Sequence, residues 1–108
     1  MENKLENQTT ADLDNQLKQG AVLADFWAPW CGPCRMQGQI LEPLHDQLPA
    51  GVRIVKINVD ENPELAGRFG VQSIPTLILF HEGRPVQKWV GVQTAATLTA
   101  AMKRAAGA

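Results

Sequence analysis

The segment 30–34, Trp-Cys-Gly-Pro-Cys, constrains the fold more than any other part of the sequence. It holds both cysteines of the chain, two residues apart. An apolar run, residues 21–28, precedes it and contains a single carboxylate, Asp25. Apolar residues from Met36 onward follow it at the i, i+4, i+8 spacing of one helix face. The pattern predicts a dithiol between a buried strand and a helix, where backbone N–H groups stabilise a thiolate.

Length and composition describe one soluble globular domain, and we assign residues 1–108 to it. A chain of 108 residues, 44% apolar and 19% charged, can bury a core. A net charge of −1 without a Lys/Arg cluster argues against nucleic acid as a partner. No segment approaches the roughly 18 uninterrupted apolar residues of a membrane helix, and residues 1–8 lack a secretory apolar core. We expect a cytoplasmic monomer if the chain is the complete product, although a mature exported form would look the same.

Two cysteines form at most one disulfide within the chain, too few for a fold that depends on disulfides for its stability. In a reducing compartment such a pair is more often catalytic or metal-binding than structural. Zinc would need two further ligands, and the histidines His45 and His81 lack the close spacing of a zinc motif. We therefore predict redox chemistry and no metal site.

The rest of the chain alternates helix-like and strand-like segments. Their order, with a hairpin and a helix last, predicts a mixed sheet covered by helices on both faces. Helices are expected from Thr9 or Thr10 to Gly20, over about 33–48, over 63–69 with Asn62 as its cap, and after the cap Thr94, where Leu98, Ala101, Met102 and Ala105 form the buried stripe. Strands are expected at 21–28, 52–60, 76–80 and 86–90. Residues 1–8 form at best a short edge strand.

Over nearly its whole length the sequence resembles the thioredoxin family. The resemblance implies an α/β, thioredoxin-like fold, with a central five-stranded mixed sheet flanked by four helices, and a cis peptide bond before Pro75. The matching pieces are Asp-Phe-Trp-Ala at 25–28, Trp-Cys-Gly-Pro-Cys at 30–34, Lys-Ile-Asn-Val-Asp at 56–60, Ser-Ile-Pro-Thr at 73–76, the Gly83 hairpin and Gly91.

Two positions depart from the family pattern. Gln39 stands where the family usually has a helix-kinking proline, and the helical proline here is Pro43, one turn later. Any kink should therefore move toward the C-terminal end of the helix. Arg35 replaces the more familiar lysine and keeps its charge.

The cysteines are assigned different roles. Cys31, at the helix start, is the predicted nucleophile, because unpaired N–H groups lower the pKa of its thiol. Cys34 lies one helical turn on and is the predicted resolving thiol, favoured by its proximity to the first sulfur. The resemblance implies that Gly32 and Pro33 tune how reducing the couple is. An inert buried cysteine is the alternative, and the C-x-x-C spacing argues against it.

Asp25 is the predicted base for the resolving thiol. A carboxylate inside an apolar strand is costly to bury ionised, so its pKa should be raised toward neutrality. Lys56, central in the next apolar strand, could pair with it, and the resemblance supports the pair. The alternatives are an exposed strand residue for Asp25 and an ordinary surface lysine for Lys56.

A shallow apolar platform should surround Cys31. Its predicted members are Trp30, Ile74, Pro75, Gly91 and Val92, with the backbone of Ile74 free to pair with an extended substrate. The alternative for Trp30 is core packing, a role that suits Trp27 within the strand better.

These residues predict an enzyme, a dithiol–disulfide oxidoreductase that reduces disulfides in protein substrates through a mixed disulfide. No bound cofactor is needed, because the two sulfurs carry the electrons. The resemblance implies recharging by thioredoxin reductase, a flavoprotein that uses NADPH. Two alternatives stay open: a disulfide oxidant or isomerase of the same fold, and a non-catalytic subunit or chaperone with idle thiols. Pro33 stands where oxidants often carry histidine, which argues against the first.

Overall fold

The computed structural model describes residues 10–107. The edge strand predicted within residues 1–8 lies outside this range. The described α-helices are α1 (Thr10–Leu17), α2 (Gly32–Leu41), α3 (Pro63–Arg68) and α4 (Ala95–Ala106), and the strands are β1 (Ala21–Trp27), β2 (Val52–Asn58), β3 (Thr76–His81) and β4 (Arg84–Val90).

Strand β1 lies inside the sheet, whose order is β2-β1-β3-β4. It pairs in parallel with β2 and antiparallel with β3, and β4 runs antiparallel to β3. This arrangement confirms the predicted mixed sheet of an α/β fold. Residues 10–107 contribute four strands, whereas five were predicted.

The two faces of β1 pack against different helices. Because side chains alternate along a strand, Leu23 enters one core cluster and Phe26 the other. The first cluster includes Leu41 of α2 and Leu98 of α4, and the second includes Leu13 of α1 and Leu65 of α3. The strand is thus covered on both faces, as its apolar run predicts.

The helix after the dithiol changes type near its middle. Helix α2 ends at Leu41, and a 3-10 helix, Glu42–Gln47, continues with Pro43 in its first turn. Pro43 has no N–H to donate to a carbonyl one turn earlier, which explains why the α-helical pattern stops there. The sequence predicted a kink near Pro43, and the structure shows a change of helix type there.

The buried face of α2 differs from the predicted one. Met36 was assigned to the apolar face, but its side chain is 56% exposed. Gln37, the next residue, is fully buried together with Cys34 and Leu41. Leu41 and Leu44 of the predicted face are buried and Ile40 and Leu48 are half-buried, so the prediction is wrong at Met36, whose place Gln37 takes.

The predicted helix caps differ in their side-chain contacts. Thr94 accepts a hydrogen bond from the Thr97 N–H at 3.1 Å and caps α4. Asn62 occupies the N-cap position of α3 without a side-chain cap bond. Its amide instead joins α1 to the end of β2, accepting from the Thr10 hydroxyl and donating to the Asn58 carbonyl.

Candidate active site

The two cysteines meet at the first turn of α2. Cys31 is the N-cap residue, with extended backbone, and its sulfur accepts a hydrogen bond from the Cys34 N–H at 3.2 Å. Pro33 occupies the first turn, where its missing N–H leaves no helical bond unmade. The two sulfurs form a disulfide, with Cα atoms 5.2 Å apart. This structure thus shows the oxidised pair, with a helix N-terminus directed at the first sulfur.

A loop ending in a cis proline faces the disulfide. The peptide bond between Ile74 and Pro75 is cis, as the resemblance implied. The Cys31 sulfur lies 3.8 Å from the carbonyl oxygen of Ile74. The Pro75 carbonyl accepts a hydrogen bond from the Gly91 N–H at 2.8 Å. The cis-proline loop therefore lies beside the sulfur and is itself bonded to the loop after β4.

Trp30 lies at the surface next to the dithiol. Its side chain is 68% exposed, which rules out core packing, and its Nε1–H donates to the Asp60 carboxylate at 2.9 Å. Val92 is 36% exposed, and Pro75 is buried. Arg35 donates to the Pro29 carbonyl at 3.1 Å and so braces the turn before Trp30. The exposed indole of Trp30 thus adjoins a largely buried dithiol.

Asp25 lies in the core under α2. On the same face of β1, Leu23 packs with α2, and Trp27 packs beside both cysteines. Asp25 stands between them and is fully buried. Neither carboxylate oxygen has a hydrogen-bond partner within residues 10–107. Burial raises the pKa of Asp25 from 3.8 to about 7, and the positive charge of Lys56 limits the rise.

Lys56 is the direct neighbour of Asp25 across the sheet. The parallel register of β1 and β2 pairs the two residues, so their side chains share a face. The Lys56 ammonium also lies 4.2 Å from the centre of the Trp27 ring. Lys56 is half-buried. A cation–π contact of this kind keeps the ammonium close to the buried carboxylate.

Comparison with known proteins identifies the family. The family model described as Thioredoxin matches residues 4–104. The chain belongs to the thioredoxin family. It is 49% identical over 85 residues to thioredoxin from Staphylococcus aureus, covering 79% of this chain and 82% of the relative.

Solved thioredoxin structures share the fold. A point-mutant thioredoxin from Halobacterium salinarum superposes with a TM-score of 0.82 at 36% identity, covering 98% of this chain and 96% of that one. Oxidised mitochondrial thioredoxin 3 from Saccharomyces cerevisiae gives 0.79 at 33% identity, with 92% of each chain covered. As a member of this family with an oxidised C-x-x-C pair, the protein is a thiol–disulfide oxidoreductase.

Residues 10–107 offer neither a cluster of metal ligands nor a membrane-spanning helix. No group of three or more His, Cys, Asp or Glu side chains there is placed to hold a metal ion. None of the helices in this range has the length and apolar character needed to cross a membrane.

The structure brings the Cys31–Cys34 disulfide against the Ile74 carbonyl, pairs Asp25 with Lys56 in the sheet and bonds Gly91 to Pro75. The roles of these residues stay predictions. Two polar contacts were not anticipated: Asp60 on the Trp30 indole, and Gln37 bonded to the backbone of Gln93. For Gln37 the sequence held a signal, since an amide three residues after Cys34 falls on the same helix face.

Proposed function

We propose that this protein reduces disulfides in protein substrates through a mixed disulfide. The observation that carries the proposal is the position of the Cys31–Cys34 disulfide, at a helix N-terminus and 3.8 Å from the Ile74 carbonyl. An extended substrate strand could pair with the Ile74 backbone and bring its own disulfide to Cys31. Exposed Trp30 and Val92 would border that strand.

The first step is attack by the Cys31 thiolate of the reduced protein. Its sulfur bonds to one substrate sulfur, the substrate S–S bond breaks, and the other substrate sulfur leaves as a thiolate. The Cys34 N–H that donates to the Cys31 sulfur would stabilise the attacking thiolate before the step. Gly32 and Pro33 hold the turn between the two sulfurs and so would tune the reduction potential of the couple.

In the second step Cys34 resolves the mixed disulfide. The Asp25 carboxylate, through water, takes the proton of the Cys34 thiol, and the resulting thiolate attacks the Cys31 sulfur. The substrate leaves with its second sulfur reduced, and the protein is left with the disulfide seen here. A pKa of about 7 allows Asp25 to accept that proton near neutral pH, and Lys56 would hold the carboxylate charge.

Return to the dithiol requires two electrons and two protons. We assign their supply to thioredoxin reductase, a flavoprotein that takes electrons from NADPH, so that this chain itself binds no cofactor. The 1–108 chain would act as one domain, as a monomer and in the cytoplasm. Its net charge of −1 gives no electrostatic attraction toward nucleic acid or anionic membranes.

The test is trapping of the mixed disulfide. Cys34→Ser removes the resolving sulfur, so the reduced variant incubated with insulin should accumulate a covalent complex that dithiothreitol dissolves. Non-reducing electrophoresis with mass spectrometry measures it. The wild type should instead turn over insulin when NADPH and thioredoxin reductase are supplied.

Cys31→Ser is the matched control, because it removes the other sulfur of the same pair. It should form no complex and show no turnover. Insulin reduction that survives Cys31→Ser, or a Cys34→Ser protein that never accumulates the complex, would contradict the assigned division of labour. The redox equilibrium with glutathione separates a reductant from an oxidant of the same fold.

A further inference from the structure

Gln37 makes an unusual contact behind the dithiol. It lies on α2 one turn after Cys34, and its side chain is fully buried. Its amide bonds both backbone groups of one residue: Oε1 accepts from the Gln93 N–H at 2.7 Å, and Nε2 donates to the Gln93 carbonyl at 3.1 Å. The side chain thus pairs with the loop after β4 as a neighbouring strand would.

The loop is held at its other end as well. The Gln93 side-chain Nε2 donates to the Gly91 carbonyl at 3.1 Å, and the Gly91 N–H donates to the Pro75 carbonyl at 2.8 Å. A continuous set of hydrogen bonds therefore joins the helix that carries Cys34 to the cis-proline loop. Val92, between the two anchored residues, is 36% exposed, and the loop that carries it is bonded to the cis-proline loop that faces the dithiol.

We infer that Gln37 is a positioning residue that fixes the Gly91–Gln93 loop for docking of the protein substrate. The inference rests on the reduction of protein disulfides proposed above. Gln37 touches neither sulfur in the described contacts. Its action runs through the backbone of Gln93 and sets the position of Val92, so it controls how well a substrate chain is bound.

An apolar side chain at position 37 would fill the same space without fixing the loop. Dispersion contacts lack direction, whereas two hydrogen bonds from one planar amide fix both the distance and the orientation of a peptide group. Without them the loop has more conformations, and a substrate must order it on binding. An apolar residue at position 37 should therefore weaken the binding of the substrate.

The experiment compares Gln37→Met with Gln39→Met. Met matches the length of Gln but neither donates nor accepts as an amide does. Gln39 lies on the same helix with an exposed side chain, so the same change there controls for helix propensity. Each variant is assayed with insulin and with a small aromatic disulfide, both at saturating thioredoxin reductase and NADPH.

We expect Gln37→Met to raise the KM for insulin about tenfold, equivalent to about 1.4 kcal/mol, the scale of two neutral hydrogen bonds. The kcat, the thiol titration of Cys31 and the rate with the small disulfide should stay within about twofold of wild type. Gln39→Met should leave all four unchanged. A merely structural role would lower both substrates' rates together or change the thiol titration.

An unchanged insulin KM in a folded Gln37→Met protein overturns the inference. If that variant does not fold, amide hydrogen exchange of the wild-type protein tests whether Gln37 fixes the loop. The Gln93 N–H should exchange at least about tenfold more slowly than the Val92 N–H, and equal rates would overturn the inference. If wild-type protein reduces no insulin at all, the proposed function fails instead, and that result is distinct from a failure of the loop assignment.

Discussion

Replacing Asp25 by Asn should make the protein more stable, and more so at higher pH. The carboxylate is fully buried, and its oxygens have no hydrogen-bond partner among residues 10–107. Burial raises its pKa to about 7, although Lys56 opposes the rise. The folded protein therefore binds the Asp25 proton more tightly than the unfolded chain does, and ionisation of this group favours unfolding.

The pH window follows from the two pKa values. Below pH 3.8, Asp25 is protonated in both the folded and the unfolded states, and its ionisation has no effect. Between pH 3.8 and about 7 only the unfolded chain ionises readily, so the free energy of unfolding falls as pH rises. Above that range Asp25 is ionised in both states, and the free energy of unfolding falls no further on its account. A pKa difference of about three corresponds to about 4 kcal/mol, as an order of magnitude.

The assay is urea unfolding of the oxidised protein from pH 4 to pH 9. Asp25→Asn should unfold at higher urea than wild type at pH 8, by up to about 4 kcal/mol, and the difference should vanish near pH 4. Asp46→Asn, at an exposed position, is the control and should show no such trend. A stability difference between Asp25→Asn and wild type that is the same at every pH would refute the reasoning.

Two further predictions concern Lys56 and two glycines. Lys56→Met should raise the pKa of Asp25 further, because the positive charge that opposes the rise is lost; carbon-detected NMR titration measures it, and a lower pKa would contradict the assignment. Gly38→Ala should stabilise α2 by about 0.5–1 kcal/mol, since within residues 10–107 the nearest atom that its Cβ would meet is the Lys56 Nζ, at 4.0 Å. Gly20→Ala should destabilise by more than about 1 kcal/mol, because φ is +67° and the Cβ would lie 2.8 Å from the Gly51 carbonyl oxygen. Thermal unfolding of both glycine variants measures the effects. A change of the unfolding temperature in the same direction for both variants would contradict the prediction.

The fold could be predicted because its signals are local. A run that is apolar except for Asp25 predicted a strand covered on both faces, and β1 is one. Thr94 and the spacing that begins at Leu98 predicted α4 and its buried face. The cis bond at Pro75 came from the family resemblance, because no local pattern in a single sequence specifies the isomer.

The side-chain contacts were harder to predict because they depend on distant parts of the chain. Periodicity placed Met36 on the buried face of α2, since it counts apolar residues and ignores partners. Gln37 is buried instead because the backbone of Gln93, 56 residues away, satisfies its amide. Asn62 was predicted to cap α3, yet its amide bonds to Thr10 and Asn58. These hydrogen bonds depend on tertiary structure, so the local spacing of residues does not predict them.

Two buried polar side chains near the dithiol differ in what keeps them there. Gln37 has partners for both atoms of its amide, so its burial carries little penalty. Asp25 has no hydrogen-bond partner within the described residues, and a neutral residue of similar size would give a more stable core above pH 7. A side chain that lowers stability where a replacement is available needs another reason to be present. The proposed proton transfer from Cys34 would be such a reason, because it requires a base that titrates near neutral pH and is shielded from solvent. If Asp25→Asn proves more stable and resolves the mixed disulfide as fast as wild type, that reason is gone.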